Sequence, residues 1–165
     1  PVIVKETGCG LSRKVGERLV RVGVRHVDTS GAGGTSWVAV ETHRARTGQK
    51  ALGERFWDWG IPTAASVLQL SGLGLQICAT GGLESGVDVA KALALGATVG
   101  GIARPLLKAQ AEGCLEERIE GILAEIRLCC LLTGARKPAE LQQQPLYIGE
   151  RLARWDYRKT GFSLR

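Results

Sequence analysis

Short apolar runs alternate with segments of helical periodicity along most of the chain. The apolar runs predict strands at residues 2–4, 24–28, 75–79 and 98–103. The periodic segments predict helices at residues 13–22, 62–70, 88–95 and 116–132, with a further helix from Pro105. Residues 42–54 are charged and are expected to be a mobile connection. Strands that alternate with helices, and that are apolar throughout, predict a parallel sheet covered on both faces.

Four strand–helix units fit either a small open doubly wound sheet or half of an eight-stranded barrel. An open sheet that binds a dinucleotide is expected to carry G-x-G-x-x-G after its first strand, but Gly8 and Gly10 lack the third glycine. Polar and glycine-rich segments instead follow every strand, as in barrels, whose sites lie at the carboxyl ends of the strands. The pattern therefore predicts an α/β fold, a (β/α)8 TIM barrel of which this chain supplies about the last four units.

The prediction assigns residues 1–136 to the C-terminal half of the barrel and residues 137–165 to a helical, basic tail. A whole barrel takes about 250 residues, so the chain is expected to be part of a longer protein. It begins with neither an initiator methionine nor a secretion signal, and its first residues already have the pattern of a strand.

Composition narrows the class of protein. The 165 residues are 44% hydrophobic and carry a net charge of +6, which predicts a globular domain with a core. No apolar run approaches the roughly 18 to 20 residues that a membrane span needs, so no membrane association is predicted. Five cysteines without a C-x-x-C pair predict a reduced, cytoplasmic protein. Neither histidine has a cysteine at ligand spacing, so no metal site of this kind is predicted.

Basic and aromatic residues interleave between Glu150 and Arg165. This mixture is compatible with nucleic-acid binding, in which cations contact phosphates and aromatic rings stack on bases. A solvated terminal helix followed by a tail is the more ordinary interpretation, and the mild positive charge equally suits an anionic small substrate. We therefore predict a small-molecule ligand and no nucleic-acid partner.

Glycine-rich loops after the strands carry the candidate chemistry. Thr80-Gly81-Gly82 follows the third strand and Ala103-Arg104-Pro105 the fourth. Glycines there let backbone N–H groups converge on a phosphate, and a helix N-terminus adds a favourable field. The alternative is that these glycines serve only a tight turn. The run Ser-Gly-Ala-Gly-Gly-Thr-Ser-Trp at residues 30–37 surrounds its glycines with hydroxyls suited to a polar ligand, although a flexible linker is the alternative.

Three charged residues are weaker candidates. Lys5 ends an apolar strand, where burial of an ammonium is costly unless it meets an anion or a polar ring. Glu6 and Glu41 are candidate acids, although a single carboxylate is more often simply solvated.

These segments resemble the type 2, FMN-dependent isopentenyl-diphosphate isomerases. The resemblance extends to about Arg136 and is carried by Val4-Lys5-Glu6, residues 28–37, Trp59-Gly60-Ile61-Pro62-Thr63, Thr80-Gly81-Gly82 and Lys91-Ala92-Leu93-Ala94-Leu95-Gly96-Ala97. The last segment is shared with FMN barrels that oxidise 2-hydroxy acids. Those oxidases carry His and Arg after the corresponding strands, and this chain has neither in residues 30–37 or 80–82.

The resemblance implies an activity and a set of cofactors. Members of this family convert isopentenyl diphosphate to dimethylallyl diphosphate without net redox change, using reduced FMN, NADPH as the reductant and Mg²⁺ on the diphosphate. They tend to form tetramers or octamers, so a homo-oligomer is implied. The family's Mg²⁺ ligand and diphosphate-binding residues lie in the first half of the barrel, so no metal ligand is assigned to this chain.

The resemblance also implies which residues form the site. Lys5 would lie against the flavin ring, and Ser30 and Thr35 would hydrogen-bond to the flavin. Trp37 and Glu41 would face the reacting carbon skeleton, with Glu41 as a proton relay. The FMN phosphate would be held by Gly81, Gly82, Leu83, Ala103 and Arg104.

Two other functions remain open from the sequence. One is an FMN-dependent oxidoreductase or synthase of the same barrel superfamily. The other is a non-catalytic half-barrel that binds a phosphate-containing ligand or pairs with another chain, since half a barrel leaves two open sheet edges.

Overall fold

A computed structural model describes residues 1–156 of the chain. Its centre is a four-stranded parallel sheet in the order β1-β2-β3-β4. The strands are β1 (Ile3–Lys5), β2 (His26–Asp28), β3 (Gln76–Ala79) and β4 (Val99–Gly100). In register, Val4 lies opposite Val27, and Val27 opposite Ile77. Each strand pairs with the next along the chain without reversal, whereas a doubly wound sheet reverses its order, so the arrangement is that of a barrel segment.

Helices lie in the crossovers and after the last strand. They are α1 (Arg13–Arg21), α2 (Trp37–Arg44), α3 (Thr47–Arg55), α4 (Thr63–Leu70), α5 (Gly86–Ala94), α6 (Arg104–Glu112), α7 (Leu115–Thr133) and α8 (Glu150–Ala153), with a 3-10 helix at Pro138–Gln143. Ser12 caps α1, since its Oγ accepts a hydrogen bond from the Val15 N–H at 3.4 Å. Gly134 ends α7 at φ +77°, a left-handed conformation suited to glycine.

The prediction of a mobile connection at residues 42–54 is wrong. This stretch belongs to α2 and α3. Ser36 starts α2 by accepting a hydrogen bond from the Ala39 N–H at 3.1 Å. The charged residues that suggested mobility are also good helix formers, and Gly53 lets α3 lie directly against Thr42 of α2.

The fourth strand is shorter than predicted. The pattern of residues 98–103 predicts six residues of strand, but only Val99 and Gly100 pair with β3. The Gly101 N–H still donates to the Ala79 carbonyl at 2.9 Å, after which the chain leaves the sheet. Ile102 then leads into the turn that starts α6 at Arg104.

The core lies between the sheet and its helices. Val27, Ile77 and Ala79 of the strands are almost completely buried, as are Val67 and Leu70 of α4. No helix within residues 1–156 is both long and apolar enough to cross a membrane.

The segment after Arg136 packs against this domain for part of its length. Leu141 of the 3-10 helix belongs to the core cluster, and Gln142 Nε2 donates to the Ala97 carbonyl at 2.9 Å. The domain boundary at Arg136 stays a prediction. The last part of the predicted basic tail, residues 157–165, lies outside the described residues.

Candidate functional site

A cavity of about 620 Å³ opens at the carboxyl ends of the four strands. The loops that follow β1, β2, β3 and β4 all contribute to its lining. The structure brings together all the residues that were predicted to bind the cofactor. The lining of the cavity includes Lys5, Ser30, Thr35, Gly81, Gly82, Leu83, Ala103 and Arg104. Trp37 also lines this cavity, whereas Glu41 does not.

Lys5 reaches the cavity from the end of β1. Its Nζ donates to the Glu6 carbonyl at 3.0 Å and to Ser30 Oγ at 3.2 Å. The Asp28 Oδ2 atom lies 4.0 Å from the same nitrogen, and the Lys5 side chain is 54% exposed. The ammonium therefore avoids the burial cost expected for a lysine at the end of an apolar strand, because it points into the open cavity.

Asp28 joins the ends of β2 and β3, and no sequence motif predicts a role for it. Its Oδ1 accepts hydrogen bonds from the Ser30 N–H at 3.0 Å and from the Thr80 hydroxyl. The Thr80 hydroxyl is also an acceptor for the Ser30 N–H, at 3.2 Å. Its position in the sequence could have indicated a role in the site, because this carboxylate ends a strand directly before a glycine-rich loop.

The two glycine-rich loops touch each other through their backbones. Gly81 has φ +104°, and a Cβ there would lie 2.2 Å from the Gly31 carbonyl oxygen. Gly82 has φ +79°, and its Cβ would lie 2.3 Å from the Gly33 carbonyl oxygen. The Thr63 hydroxyl of α4 donates to the Gly81 carbonyl at 2.5 Å. Any other residue at these positions would both strain the backbone and force the loops apart.

The donors beside these glycines suit a phosphate. Within residues 1–156, the hydrogen bonds include none donated by the backbone N–H groups of Gly82 or Leu83. The N-terminus of α6 borders the same cavity, and Ala103 at its cap makes no side-chain capping bond. Free N–H groups beside a helix N-terminus form a typical anion site, so the donor set fits a phosphate group.

Arg104 lies at the rim of this cradle and pairs with Glu84. Its side chain is 84% exposed, so the contact is a surface ion pair. Arg118 of α7 donates to the Glu84 carbonyl at 2.6 Å, which fixes the loop that carries the carboxylate. Arg104 is therefore close enough to serve an anion in the cavity, but its partner here is Glu84.

Glu6 has a structural role in this arrangement. Its Oε2 accepts hydrogen bonds from the backbone N–H groups of Thr7, Gly8 and Cys9 at 2.7, 2.7 and 2.5 Å. This carboxylate therefore shapes the loop after β1, and it is not available as the free acid that its position suggested.

Two thiols near the site are held neutral. Burial raises the pKa of Cys9, and the charge of Glu6 raises it further. Burial also raises the pKa of Cys78, with a further rise from Asp28 that Lys5 partly opposes. Since the thiolate is the nucleophilic form, neither residue is suited to covalent catalysis.

Glu41 lies in a second, more open groove of about 810 Å³ between α2 and α3. Trp37 lines both this groove and the cavity. The Glu41 carboxylate pairs with Arg44 at 3.3 Å on the helix surface. The structure therefore brings Trp37 to the cavity and leaves Glu41 one helical turn away. No cluster of His, Cys, Asp and Glu suited to a metal ion occurs within the described part of the chain.

Sequence comparison relates the chain to known proteins. The profile of a family described as FMN-dependent dehydrogenase matches residues 1–148. A protein of Methanothermobacter thermautotrophicus is 44% identical over 158 residues, and one of Pyrococcus abyssi is 46% identical over 160 residues. Both are named isopentenyl-diphosphate delta-isomerase, which confirms the resemblance seen in the motifs. The matches cover 94% of this chain but 45% and 43% of those proteins, so the chain spans about half their length.

Structural comparison supports the fold. Two crystal structures of mandelate oxidase, one of them with (S)-2-phenylpropionate, match with TM-scores of 0.67 and 0.66 at 22% identity. The matches cover 90% of this chain and about 38% and 40% of those chains. Together with the consecutive parallel strands, they confirm the predicted α/β barrel class.

Proposed function

Because the chain belongs to the FMN-dependent dehydrogenase family, we propose that its cavity binds FMN and that the protein converts isopentenyl diphosphate to dimethylallyl diphosphate. The observation that carries the proposal is the shared cavity, which all eight residues assigned to FMN line. The names of the relatives support the substrate. This chain spans about half of the length of those relatives.

Different residues of the cavity bind the phosphate and the flavin ring of FMN. The free N–H groups of Gly82 and Leu83 and the N-terminus of α6 bind the phosphate, and Arg104 can turn from Glu84 toward it. Lys5, beside the Ser30 hydroxyl, holds the flavin ring and favours negative charge on it. When bound in its reduced form, FMN supplies a group that donates a proton to the alkene and accepts one from it.

Trp37 is the residue of this chain that we assign to the substrate. It stands where the cavity meets the groove, with about half of its ring surface exposed. An aromatic face stabilises positive charge that develops on a nearby carbon, and the ring also excludes water from the reacting carbons. Glu41, four residues further along α2, is proposed as a proton relay that acts from the groove.

We further propose Mg²⁺, NADPH and self-association. Mg²⁺ would bind the substrate diphosphate, with protein ligands that the family resemblance places in the first half of the barrel. NADPH would act as the reductant of FMN. The family resemblance supports a homo-oligomer, a tetramer or octamer. The cysteines, which are all free in the structure, support a cytoplasmic location.

An anaerobic assay tests this function. The protein is incubated with isopentenyl diphosphate, FMN, NADPH and Mg²⁺, and dimethylallyl diphosphate is quantified by mass spectrometry. We expect turnover only when the reductant is present, and a flavin spectrum in the purified protein. Turnover that persists without any reductant, or a protein that binds no FMN, would contradict the proposal.

An FMN-dependent oxidoreductase of the same family is the second candidate. The family description and the fold of mandelate oxidase favour it. The cavity argues against it, because its lining contains no histidine to act as a base toward a 2-hydroxy acid. Reduction of bound FMN by a panel of 2-hydroxy acids, without isomerisation of isopentenyl diphosphate, would favour the oxidoreductase. A protein that binds phosphate ligands but does neither would be the non-catalytic half-barrel.

A further inference from the structure

We propose that Asp28 is a positioning residue that fixes the Lys5 ammonium and the Ser30 backbone beside the flavin ring. The proposal rests on the proposed function, because its readouts come from bound FMN. Neither the sequence motifs nor the family resemblance gave this carboxylate a role. Its own contacts assign one.

The carboxylate of Asp28 joins three strand ends. Its Oδ1 accepts hydrogen bonds from the Ser30 N–H and the Thr80 hydroxyl, and its Oδ2 lies 4.0 Å from Lys5 Nζ. The side chain is 18% exposed, so water reaches little of it. A shielded carboxylate with two donors on one oxygen and an ammonium facing the other is held in one orientation, and it orients its partners in turn.

Ser30 shows why this contact matters. Within residues 1–156 it is the single non-glycine residue with a positive φ, at +37°. Such a conformation is costly for a residue with a side chain and persists only when its surroundings enforce it. The Asp28 Oδ1 and the Thr80 hydroxyl both accept its N–H, and the Ser30 hydroxyl accepts from Lys5. Asp28 therefore positions the ammonium directly and through Ser30.

The negative charge of Asp28 acts on Lys5 as well. Among the described residues, Asp28 supplies the one carboxylate within 4 Å of this ammonium. A neighbouring negative charge weakens the positive field that the ammonium exerts on the flavin. Removal of the charge, with the hydrogen bonds kept, should therefore make bound FMN easier to reduce, because an uncompensated ammonium favours added negative charge.

Two substitutions separate these contributions. Asp28→Asn keeps an oxygen acceptor for Ser30 and Thr80 but removes the charge, whereas Asp28→Ala removes both. Asp58→Asn is the matched control, since Asp58 is exposed, lies outside the cavity and loses the same unit of charge. The FMN dissociation constant is measured by quenching of flavin fluorescence. The midpoint potential of bound FMN is measured by equilibration with redox dyes at saturating FMN.

We expect Asp28→Ala to weaken FMN binding by about tenfold or more, since a buried hydrogen-bond network loses its common acceptor. Asp28→Asn should change the affinity less than about threefold and move the midpoint potential to a more positive value. Asp58→Asn should move neither quantity. In a Lys5→Ala background, Asp28→Asn should move the potential less than it does in the wild-type protein, because only the direct Coulomb effect of the carboxylate on the flavin remains.

Two results would overturn the positioning role. One is an unchanged potential in Asp28→Asn, and the other is a shift of undiminished size in the Lys5→Ala background. If Asp28→Ala does not fold, the Asp28→Asn and Lys5→Ala comparison still decides the question. A wild-type protein that binds no FMN refutes the proposed function and this role together, whereas wild-type binding with unresponsive variants refutes the role alone.

Discussion

The cavity at the strand ends and the groove between α2 and α3 are built in different ways. Around the cavity, backbone meets backbone at Gly31 and Gly81, and hydrogen bonds of Asp28 tie the ends of β2 and β3 together. The two helices instead pack chiefly on each other. Leu52 of α3 and nearby Trp59 remain exposed.

The cavity and the groove differ in the number of elements that hold their lining residues in place. The predicted FMN-binding residues lie at the strand ends, in the loops that follow the strands and at the start of α6, where a displacement would break several contacts at once. Glu41 lies on a helix pair joined to the cavity mainly through Trp37, which lines both spaces. The cavity is therefore held by contacts among several elements, whereas the groove depends mainly on the packing of two helices.

The largest expected effect is that of Gly81→Ala. A Cβ at this position would lie 2.2 Å from the Gly31 carbonyl oxygen, at a φ of +104°. We expect a loss of about 3 kcal/mol in the free energy of unfolding, from backbone strain and overpacking, together with loss of FMN binding. Urea denaturation and FMN titration measure the two quantities.

Gly53→Ala is the counterpart in the groove. Its Cβ would lie 2.0 Å from Thr42 Oγ1, so α3 must shift away from α2. We expect a loss of about 1 to 2 kcal/mol in stability with FMN affinity unchanged. Equal losses of FMN affinity in Gly53→Ala and Gly81→Ala would show that the two regions are not distinct.

Lys5→Ala tests the charge in the cavity. We expect turnover to fall by about 100-fold, since a positioned cation that stabilises developing charge is lost.

Thr35→Ala should weaken FMN binding by about fivefold, the size expected for one hydrogen bond. His26→Ala, on β2 outside the cavity, serves as the control and should leave both quantities nearly intact. Steady-state kinetics and FMN titration would contradict the assignment if Lys5→Ala behaved like His26→Ala.

Glu41→Gln asks whether the groove takes part in the chemistry. A proton relay in the groove predicts a fall in turnover of about tenfold or more, with FMN affinity unchanged, because the amide cannot pass on a proton. Arg44→Gln, which removes the ion-pair partner but leaves the carboxylate, is the matched comparison. An unchanged rate in Glu41→Gln would confine the active site to the cavity.

Asp88→Asn should have the smallest effect. Burial alone raises the pKa of Asp88, but hydrogen bonds from Ser85 and the Glu84 and Ser85 N–H groups, with the charge of Lys91, lower it below 3.8 overall. The carboxylate therefore stabilises the fold above its unfolded pKa, and this stability disappears as the pH falls through the lower, folded value. We expect Asp88→Asn to cost about 1 kcal/mol at pH 7 and nothing at a pH low enough to protonate Asp88 in the folded protein. Urea denaturation at the two pH values measures the difference, and an equal cost at both would contradict it.

Sequence reasoning succeeded where the signal was local. Ser12 and Gly134 lie at the ends of helices predicted at residues 13–22 and 116–132, and capping depends on residues only a few positions apart. The same reasoning missed α3. Its charged residues show no apolar periodicity, and its packing on α2, where Gly53 contacts Thr42, is visible only in the structure. It overextended β4, because apolar residues continue beyond the two that find a partner in β3.

The chain's own residues determined the order of strands and helices and the chemical groups at each strand end, because hydrophobic periodicity and glycine placement act over a few positions. Tertiary structure alone decided which of those groups meet. Asp28 and Thr80 are 52 positions apart, and parallel pairing of β2 with β3 brings them into contact. Glu41 was chemically plausible, but the direction of α2 places it in the groove. Contacts across parallel strands depend on register and crossover length, which no local pattern encodes.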